Sequence, residues 1–281
     1  GTVGERATMS LRQALAGYAA SAAIVVGAGQ SPGEGIGNGR ATALTFAREG
    51  AKVLCVDHNL ASAQETVDLI VAKGGTATAF KADVTKNADI KAMVADAHGR
   101  WGSVDILHNN VGVSLSGGDA ELLDISEEAF DRCVAINLKS CILAAKHVIP
   151  IMRKQQSGSI INISSMAAIT TYPYVAYKAT KSAMIAFTEQ LAYQNAQYGI
   201  RANVILPGLM NTPMAVDTRA REFKKTRAEV EAERDSKVPL RHKMGTGWDV
   251  ANAALFLASD EANFVTGVTL PVDGGASVRR G

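Results

Sequence analysis

The stretch AAIVVGAGQSPGEGIGNGRATALTFAREG, residues 22–50, combines an apolar run, a glycine-rich loop and a helical pattern, in that order. The β-branched run Ala23–Val26 predicts a buried strand, and the apolar spacing over Arg40–Glu49 predicts a helix. The glycines between them allow a tight turn and let backbone N–H groups approach a pyrophosphate, which a helix N-terminus also attracts. Because a glycine cluster alone is about as often a flexible turn, the surrounding sequence must decide between these readings.

The alternation of strand and helix continues along the chain without a break in composition. Further strands are predicted at Lys52–Val56, Thr76–Lys81, Asp105–Asn109, Gly158–Ile163 and Arg201–Ile205, and further helices at Ala61–Ala72, Asp89–Gly99, Glu127–Ile149 and Tyr177–Tyr198. Each parallel crossover needs a connection of helix length, so the pattern predicts a parallel sheet with helices on both faces. The predicted fold class is therefore α/β, a single Rossmann-type doubly wound sheet that binds ligands at the carboxyl ends of its strands.

Composition and charge narrow the classes of partner. The 281 residues carry 29 basic and 27 acidic side chains, a net charge of +2, without a block of like charge. This balance argues against nucleic acid or an anionic membrane and favours a small neutral or weakly charged ligand. The cysteines Cys55, Cys133 and Cys141 are odd in number and lack CxxC spacing, which favours a reducing, cytoplasmic location. The five histidines show no metal-binding spacing, so no metal is expected.

An aspartate stands at the end of the second predicted strand, 20 residues after Gly37. At this position Asp57 can accept hydrogen bonds from the adenosine ribose of a bound dinucleotide. Its negative charge would repel a 2′-phosphate, and the next residue is His58 rather than an arginine that could neutralise one. The sequence therefore predicts NAD in preference to NADP. The alternative is an aspartate that merely caps a turn or a helix.

Tyr177 and Lys181 are four residues apart in a predicted helix, and Ser164 precedes Tyr177 by 13 residues at the end of a predicted strand. The spacing of four puts phenol and ammonium on one helix face, where the ammonium would lower the pKa of Tyr177 for proton transfer at neutral pH. The Ser164 hydroxyl would hold the substrate oxygen. The alternatives are a packed tyrosine–lysine pair and a serine that caps a helix.

A segment rich in charges of both signs, Met214–Lys237, follows the sixth predicted strand. A solvated helical face is the favoured interpretation, and its position makes it a candidate lid over the carboxyl edge of the sheet. Residues 10–281 are predicted to form a single NAD-binding catalytic domain with a lid segment near 209–240. Residues 1–9 are interpreted as a cloning remnant and a disordered start. No apolar run approaches the roughly 20 residues of a membrane span, so no membrane is expected.

Together these motifs resemble those of the short-chain dehydrogenase/reductase family, and the resemblance runs from about Ala22 to Ser277. The run Asn109-Asn110-Val111-Gly112 is similar to the family's Asn-Asn-Ala-Gly after its fourth strand, and Asn137 is similar to its helix asparagine. The further matching segments are Asp83-Val84, Pro207-Gly208 followed by Thr212, and Val272-Asp273-Gly274-Gly275.

The resemblance implies a sheet of about seven strands, a homotetramer, and an NAD(H)-dependent oxidoreductase that interconverts a secondary alcohol and a ketone. It implies a catalytic tetrad of Asn137, Ser164, Tyr177 and Lys181, in which Asn137 supports a water that relays the proton. The implied cofactor contacts are Gly27, Ser31, Ile36, Gly37, Asn38, Asp57, Asp83, Val84, Asn110, Val111, Gly112, Tyr177, Lys181, Pro207, Gly208, Leu209 and Thr212. The alternatives are an enoyl reductase, a branch in which the tyrosine and lysine stand further apart, and a non-catalytic dinucleotide-binding regulator.

Two departures from the family leave details open. The glycine-rich loop is longer, and either Gly35-Ile36-Gly37 or Gly37-Asn38-Gly39 can take the place of the family's Gly-Ile-Gly. Val26 replaces a threonine common in the family, which removes one side-chain hydrogen bond. The candidate pocket is apolar with a few hydroxyls, which indicates a hydrophobic or cyclic substrate and no obligatory anion site. Its predicted residues are Val113–Leu115, Met166, Tyr172, Tyr174, Leu209, Met210 and Met214.

Overall fold

The computed structural model of the chain describes residues 21–279, so the predictions for residues 1–9 lie outside the described residues. The strands are β1 (Ala22–Val26), β2 (Lys52–Asp57), β3 (Thr76–Lys81), β4 (Ile106–Asn109), β5 (Gly158–Ile163), β6 (Ile200–Pro207), β7 (Met210–Asn211), β8 (Gly245–Thr246) and β9 (Thr269–Val272). Seven of them form one parallel sheet in the order β3-β2-β1-β4-β5-β6-β9, and β7 pairs with β8 in a small second sheet. The prediction of a doubly wound parallel sheet of about seven strands is confirmed.

Nine α-helices occur within residues 21–279. They are α1 (Asn38–Arg48), α2 (Leu60–Val71), α3 (Asn87–Trp101), α4 (Glu127–Val134), α5 (Ser140–Gln155), α6 (Val175–Asn195), α7 (Pro213–Glu222), α8 (Arg227–Asp235) and α9 (Gly247–Ala258). The helix predicted over Glu127–Ile149 is present as the continuous helical run Glu127–Gln155, although one part of this run is not α-helical. A π-helical turn at Ala135–Lys139 separates α4 from α5, and such turns widen a helix by one residue at positions that often serve a site.

The two faces of the sheet have separate apolar cores, and alternate residues of β1 contribute to each. Ala23 and Val25 pack with side chains of α1, α2 and α9 on one face. Ile24 and Val26 pack with α3, α5 and α6 on the other. Because side chains of a strand alternate between its faces, a strand that is apolar throughout is buried on both sides. The order of the strands reverses between β1 and β4, so a ligand crevice is expected at their carboxyl ends.

One helical run in the described part of the chain, Glu127–Gln155, is long and apolar enough to span a membrane by those two criteria, with a mean hydropathy of 1.4. Such a run is weak evidence for a membrane span, because core helices pass the same test. Its residues Ala144, Val148 and Met152 pack against the sheet.

His108 on β4 is a titratable group enclosed in the core. The side chain is fully buried, with the ring of Phe46 edge-on at 6.0 Å between centroids. Neither ring nitrogen has a hydrogen-bond partner among the described residues. Burial lowers the pKa of His108 from 6.5 to about 3, so the imidazole is neutral in the folded protein at neutral pH.

This histidine should make the protein sensitive to acid. Below pH 6.5 the unfolded chain binds a proton that the folded chain rejects, so the free energy of unfolding falls as pH decreases from 6.5 toward 3. His108→Leu should remove roughly 2 kcal/mol of the stability difference between pH 7 and pH 5, measured by urea unfolding. His98→Leu, at an exposed position, is the control and should leave the difference intact. An unchanged pH dependence in His108→Leu would contradict this account.

Candidate active site

The glycine-rich loop leaves β1 at Gly27, whose φ of 80° lies in the left-handed region that glycine adopts without strain. The N–H groups of Gly27 and Ala28 both donate to the Val56 carbonyl, at 2.8 and 3.0 Å. These hydrogen bonds hold the turn after β1 against the end of β2. Helix α1 begins at Asn38, with Gly37 as its extended N-cap. A Cβ on Gly39 would lie 1.9 Å from the Gly27 carbonyl oxygen, so only glycine allows the helix to approach the strand this closely.

This packing decides the register that the sequence left open. The segment Gly37-Asn38-Gly39 forms the start of the helix, whereas the Ile36 side chain packs against the core beside α1 and α9. The Gln30 side chain closes the enlarged loop by accepting from the Gly37 N–H at 3.1 Å. Ser31 lies partly buried within this closed loop.

The enlarged loop touches the charged segment 209–240, which we call the lid segment. A Cβ on Gly33 would collide with the Asp217 carboxylate, so the loop backbone passes directly over α7. Arg227 forms an ion pair with Asp217 and lies 3.6 Å from the Glu34 carboxylate, measured between nitrogen and oxygen. Its guanidinium also donates to Asn211 Oδ1 at 2.5 Å. Loop and lid segment are therefore joined by one charged network.

Two carboxylates follow neighbouring strands at this edge of the sheet. Asp57, at the end of β2, accepts through Oδ2 from the Gly29 N–H at 3.0 Å and through Oδ1 from the Asn59 N–H at 3.0 Å. Asp83 follows β3, and hydrogen bonds from the Thr85 side chain and backbone hold its pKa below the usual range. The next residue, Val84, packs against the core instead of pointing to solvent.

The segment after β4 connects the glycine turn with Lys181, the lysine of the candidate site. The Asn110 Nδ2 approaches the Gly27 carbonyl at 3.4 Å. The Lys181 ammonium donates to the carbonyls of Val111 at 3.3 Å and Ile163 at 2.8 Å. A Cβ on Gly112 would lie 3.1 Å from Lys181 Nζ, so the glycine leaves room beside the ammonium.

Tyr177 and Lys181 lie on one face of α6, with Nζ 5.7 Å from the centre of the phenol ring. Burial lowers the pKa of Lys181 from 10.5 to about 8. Burial also raises the pKa of Tyr177, and hydrogen bonding with Ser165 is the largest opposing effect. The spacing predicted that Lys181 would lower the pKa of Tyr177. In the structure this pKa is raised, and Lys181 is not among the groups that shift it. The ammonium donates instead to the carbonyls of Val111 and Ile163.

The structure also revises the serine that faces Tyr177. The Ser164 hydroxyl is buried and donates to the Lys181 backbone carbonyl at 2.7 Å. The Ser165 hydroxyl is partly exposed, accepts from the Ala167 N–H at 3.1 Å, and lies near enough to the phenol to act on the pKa of Tyr177. The spacing of 13 residues identified Ser164, but adjacent residues of an extended chain point to opposite sides. Ser165 is therefore the serine beside the candidate proton-transfer group.

Asn137 lies in the π-helical turn between α4 and α5 and is fully buried. Its amide is held on both sides of Val113: Oδ1 accepts from the Val113 N–H at 2.7 Å, and Nδ2 donates to the Val113 carbonyl at 2.9 Å. Nδ2 also approaches Thr180 Oγ1 at 3.1 Å, one turn along α6 from Tyr177. Asn137 thus joins the loop after β4 to helix α6.

A residue that the sequence reasoning missed, Asp119, fixes the N-terminus of α6. Its two carboxylate oxygens accept from the N–H groups of Ala176 and Tyr177, each at 2.8 Å. The first N–H groups of a helix have no partner within the helix, and a carboxylate is also stabilised by the helix dipole. Because Asp119 lies 58 residues before Tyr177, no local capping pattern could have identified it.

The end of β6 leads into the lid segment. The Gly208 N–H donates to the Val272 carbonyl at 2.9 Å, and a Cβ on Gly208 would lie 2.7 Å from the Asp273 Cα. The Thr212 hydroxyl accepts from the Ala215 N–H and thereby caps α7, which follows Pro207 by six residues. Leu209 packs against the apolar residues of the lid segment rather than facing open solvent.

The predicted pocket residues divide into two groups. Met166 and Met210 are buried in the cores, so they do not line an accessible pocket. Tyr172 stands beside the candidate proton donor, its ring centre 5.3 Å from that of Tyr177, and shares a hydrogen bond of 3.0 Å with Ser114. The remaining predicted pocket residues are partly buried or exposed: Val113, Leu115, Tyr174, Leu209 and Met214.

The residues of this edge fit a dinucleotide. The opening N–H groups of α1 have no acceptor inside the helix and attract an anion such as a pyrophosphate. The Asn38 Oδ1 is buried without a hydrogen-bond partner among the described residues and could accept from a hydroxyl. Asp57 supplies carboxylate oxygens at the neighbouring strand, as a ribose requires.

Known proteins resemble the chain over most of its length. A family model described as enoyl-(acyl carrier protein) reductase matches residues 32–277. The 2,5-dichloro-2,5-cyclohexadiene-1,4-diol dehydrogenase LinX of Sphingobium indicum is 39% identical over 243 residues, 86% of this chain and 92% of that protein. The 2-(S)-hydroxypropyl-CoM dehydrogenase 3 of Xanthobacter autotrophicus is 37% identical over 245 residues, 86% of this chain and 93% of that protein.

Solved structures give the same result. A protein from Burkholderia xenovorans described as a short-chain dehydrogenase/reductase superposes with a TM-score of 0.84 at 42% identity, covering 93% of this chain and 98% of its own. Levodione reductase superposes with a TM-score of 0.85 at 29% identity, covering 92% and 98%.

Proposed function

The chain belongs to the short-chain dehydrogenase/reductase family, and from this premise we propose that it is an NAD-dependent enzyme that interconverts a secondary alcohol and a ketone. The observation that carries the proposal is the meeting of Tyr177, Ser165 and Lys181 at the carboxyl edge of the sheet. A regulator that only bound a dinucleotide would have no use for a partly buried phenol with a hydroxyl beside it. The relatives named as dehydrogenases of alcohols support the same reaction class.

In the proposed mechanism, bound NAD supplies a carbon that accepts or donates hydride. Tyr177 moves the proton at its phenol oxygen, taking it from the alcohol or giving it to the ketone. Ser165 orients the substrate oxygen by a hydrogen bond, and Ser164 keeps the backbone of α6 in place behind it. The Lys181 ammonium would hold the nicotinamide ribose at the end of α6 that carries Tyr177. Asn137 fixes the loop at Val113 and supports the proton relay.

We assign the cofactor to the crevice that opens between β1 and β4. The pyrophosphate is proposed to contact the glycine-rich loop and the start of α1. The adenosine ribose is proposed to contact Asp57, and the adenine ring is proposed to lie beside Asp83. The nicotinamide end is proposed to contact the segments after β4 and β6. The residues assigned are Gly27, Ser31, Gly37, Asn38, Asp57, Asp83, Val84, Asn110, Val111, Gly112, Tyr177, Lys181, Pro207, Gly208, Leu209 and Thr212. Ile36 is assigned as well, since its backbone N–H can contact the pyrophosphate although its side chain packs against the core.

The description of the matching family model raises reduction of a C=C bond as a second candidate. We favour alcohol and ketone chemistry because the tyrosine and lysine are four residues apart and because Ser165 faces the phenol. A hydroxyl at that place can hold a carbonyl or alcohol oxygen next to the proton donor, a role that addition across C=C does not need.

Three further assignments complete the proposal. Residues 10–281 act as a single catalytic domain in the cytoplasm, and the lid segment closes over the bound substrate. The active form is a homotetramer, supported by exposed apolar side chains on and after α9, namely Trp248, Phe256 and Phe264. The substrate is a small molecule with a hydrophobic or cyclic skeleton, since Val113, Leu115 and Tyr172 lie around the reacting end.

Turnover of secondary alcohols with NAD and NADP, measured side by side through absorbance of the reduced cofactor, tests this function. NAD should be preferred by at least about 100-fold in kcat/KM, because Asp57 accepts from the ribose and repels a 2′-phosphate. Asp57→Ala should reduce that preference to within about tenfold. Equal use of both cofactors by the unaltered protein would contradict the assignment of Asp57, and reduction of only C=C substrates would favour the second candidate.

A further inference from the structure

Two arginines of the lid segment that are at least partly buried have no acidic partner among the described residues. Arg234 on α8 is 9% exposed, and its guanidinium contacts only Met244 Sδ at 3.3 Å and the Met210 carbonyl at 3.5 Å within residues 21–279. Arg219 on α7 is partly buried and donates to the Ala215 carbonyl at 3.0 Å. In the described chain neither guanidinium forms a salt bridge, although a thioether and a distant carbonyl are weak acceptors for a buried charge.

A shortage of carboxylates does not explain this, because the lid segment and its flanks hold several. Most of the acids there are bound to other cations or caps, and Glu222, exposed at the end of α7, forms no salt bridge with either arginine. The pairs are Asp217 and Glu231 with Arg227, Glu233 with Lys225 and Lys237, Asp235 with Lys243, and Glu229 with the Thr226 cap. These acids therefore pair with other cations, and Arg219 and Arg234 remain available to bind a group from outside the described chain. Most of the paired side chains are exposed, as the interpretation of the segment as a solvated helical face expects, whereas Arg234 is buried.

The two unpaired cations act on each other. Burial and, after it, the positive charge of Arg219 lower the pKa of Arg234 from 12.5 to about 10. Holding like charges together away from water is unfavourable unless an anion lies with them. An oxyanion bound by both guanidiniums would relieve the repulsion and satisfy their N–H groups.

The pair lies beside the reacting end of the site. The positive charge of Arg219 is close enough to lower the pKa of both Tyr172 and Tyr177, which burial raises. The ring centres of these two tyrosines are 5.3 Å apart. Arg234 contacts Met210, three residues past the end of β6 at the carboxyl edge of the sheet. A group held by the arginines would therefore belong to a molecule that also reaches Tyr177.

We propose that Arg219 and Arg234 form a binding site for an oxyanion, a carboxylate or a group of similar chemistry, carried by the alcohol or ketone substrate. This inference rests on the proposed function and names its substrate class. It replaces the expectation that the site needs no anion partner. The carbon skeleton packs against the apolar residues around Tyr172, and the acidic group points to α7 and α8.

The test compares oxo acids with their amides, which keep the skeleton and remove the charge. A panel of oxo acids of four to eight carbons, such as 5-oxohexanoate, is titrated into the enzyme–NADH complex by calorimetry and assayed for turnover, each beside its amide. At least one acid should bind roughly 100-fold more tightly than its amide. Arg219→Met and Arg234→Met should each remove most of that preference. Arg221→Met, at an exposed position of α7, is the matched control and should keep it.

Thermal unfolding supplies a second readout that a purely structural role would not produce. Without ligand, Arg234→Met should raise Tm, because it removes a buried charge that has no partner. A lower Tm, with acid binding unchanged in Arg219→Met, would mean that the arginines only support the fold and would overturn the proposal.

The remaining outcomes separate this proposal from the proposed function. Equal binding of acid and amide across the panel overturns the oxyanion site, whether or not any ketone is reduced. Loss of NADH affinity in both variants, with acid binding retained, also overturns it and assigns the arginines to a phosphate of the cofactor. Selective binding of acids without turnover of any ketone supports the site and contradicts the reaction assigned to it.

Discussion

Replacing Tyr177 with phenylalanine should lower kcat for alcohol oxidation by about 10³-fold while leaving the affinity for NADH nearly unchanged. The change removes the oxygen that moves the proton but keeps the ring, which packs at 5.3 Å from Tyr172. The N-terminus of α6 should also be unaffected, because Asp119 holds it through backbone N–H groups. Steady-state kinetics with a verified alcohol, together with NADH titration by fluorescence, would measure both quantities.

Tyr172→Phe is the matched control for this experiment. It removes a phenol oxygen from the neighbouring ring, at the cost of the hydrogen bond to Ser114. Its kcat should fall by no more than about tenfold, since Tyr172 orients the loop near the site without moving the proton. If Tyr177→Phe kept near-normal kcat, or if Tyr172→Phe lost more, the proton-transfer group would have been assigned to the wrong tyrosine.

The pair Ser165→Ala and Ser164→Ala should separate two adjacent hydroxyls by their effects. Ser165→Ala should reduce kcat by roughly 100-fold or more, because the substrate oxygen loses its hydrogen-bond donor beside the phenol. Ser164→Ala should cost about 1 kcal/mol of unfolding free energy, because the buried Lys181 carbonyl loses its hydroxyl partner. Its kcat should fall only a few-fold.

The measurements are kcat with one alcohol and urea unfolding for both variants. A loss of activity in Ser164→Ala larger than that in Ser165→Ala, at unchanged stability, would restore the assignment made from spacing. Similar losses in both variants would mean that the two hydroxyls act as one unit, and that neither alone orients the substrate.

Much of the fold could be predicted from the order of its residues. Parallel strands buried on both faces have continuous apolar runs, and their crossovers have helix length, so the sheet followed from patterns such as Ala23–Val26 and Gly158–Ile163. Single-residue geometry was less accessible. The π-helical turn at Ala135–Lys139 carries no local signal that distinguishes it from an α-helix, and a continuous helix was the natural prediction.

The residues of the candidate site were also predictable from the sequence in part and dependent on the tertiary structure in part. The sequence by itself determined that an aspartate, Asp57, ends β2 and that Tyr177 lies on α6 one turn from a lysine. Both residues were found through spacing along the chain. Spacing could not tell Ser164 from Ser165, because which hydroxyl faces the phenol depends on how the chain after β5 turns against α6. It could not decide the register of Gly37-Asn38-Gly39, which depends on the approach of α1 to the Gly27 carbonyl.

The remaining features depend on partners that are distant in the chain. Asp119 caps α6 from 58 residues away, and most acids of the lid segment pair with Arg227 and neighbouring lysines rather than with Arg219 or Arg234. Local patterns record the periodicity of an element because neighbouring residues share its geometry. Hydrogen bonds and charge pairing depend on distance in space, so only the tertiary structure decided which hydroxyl meets the phenol and which cations remain unpaired.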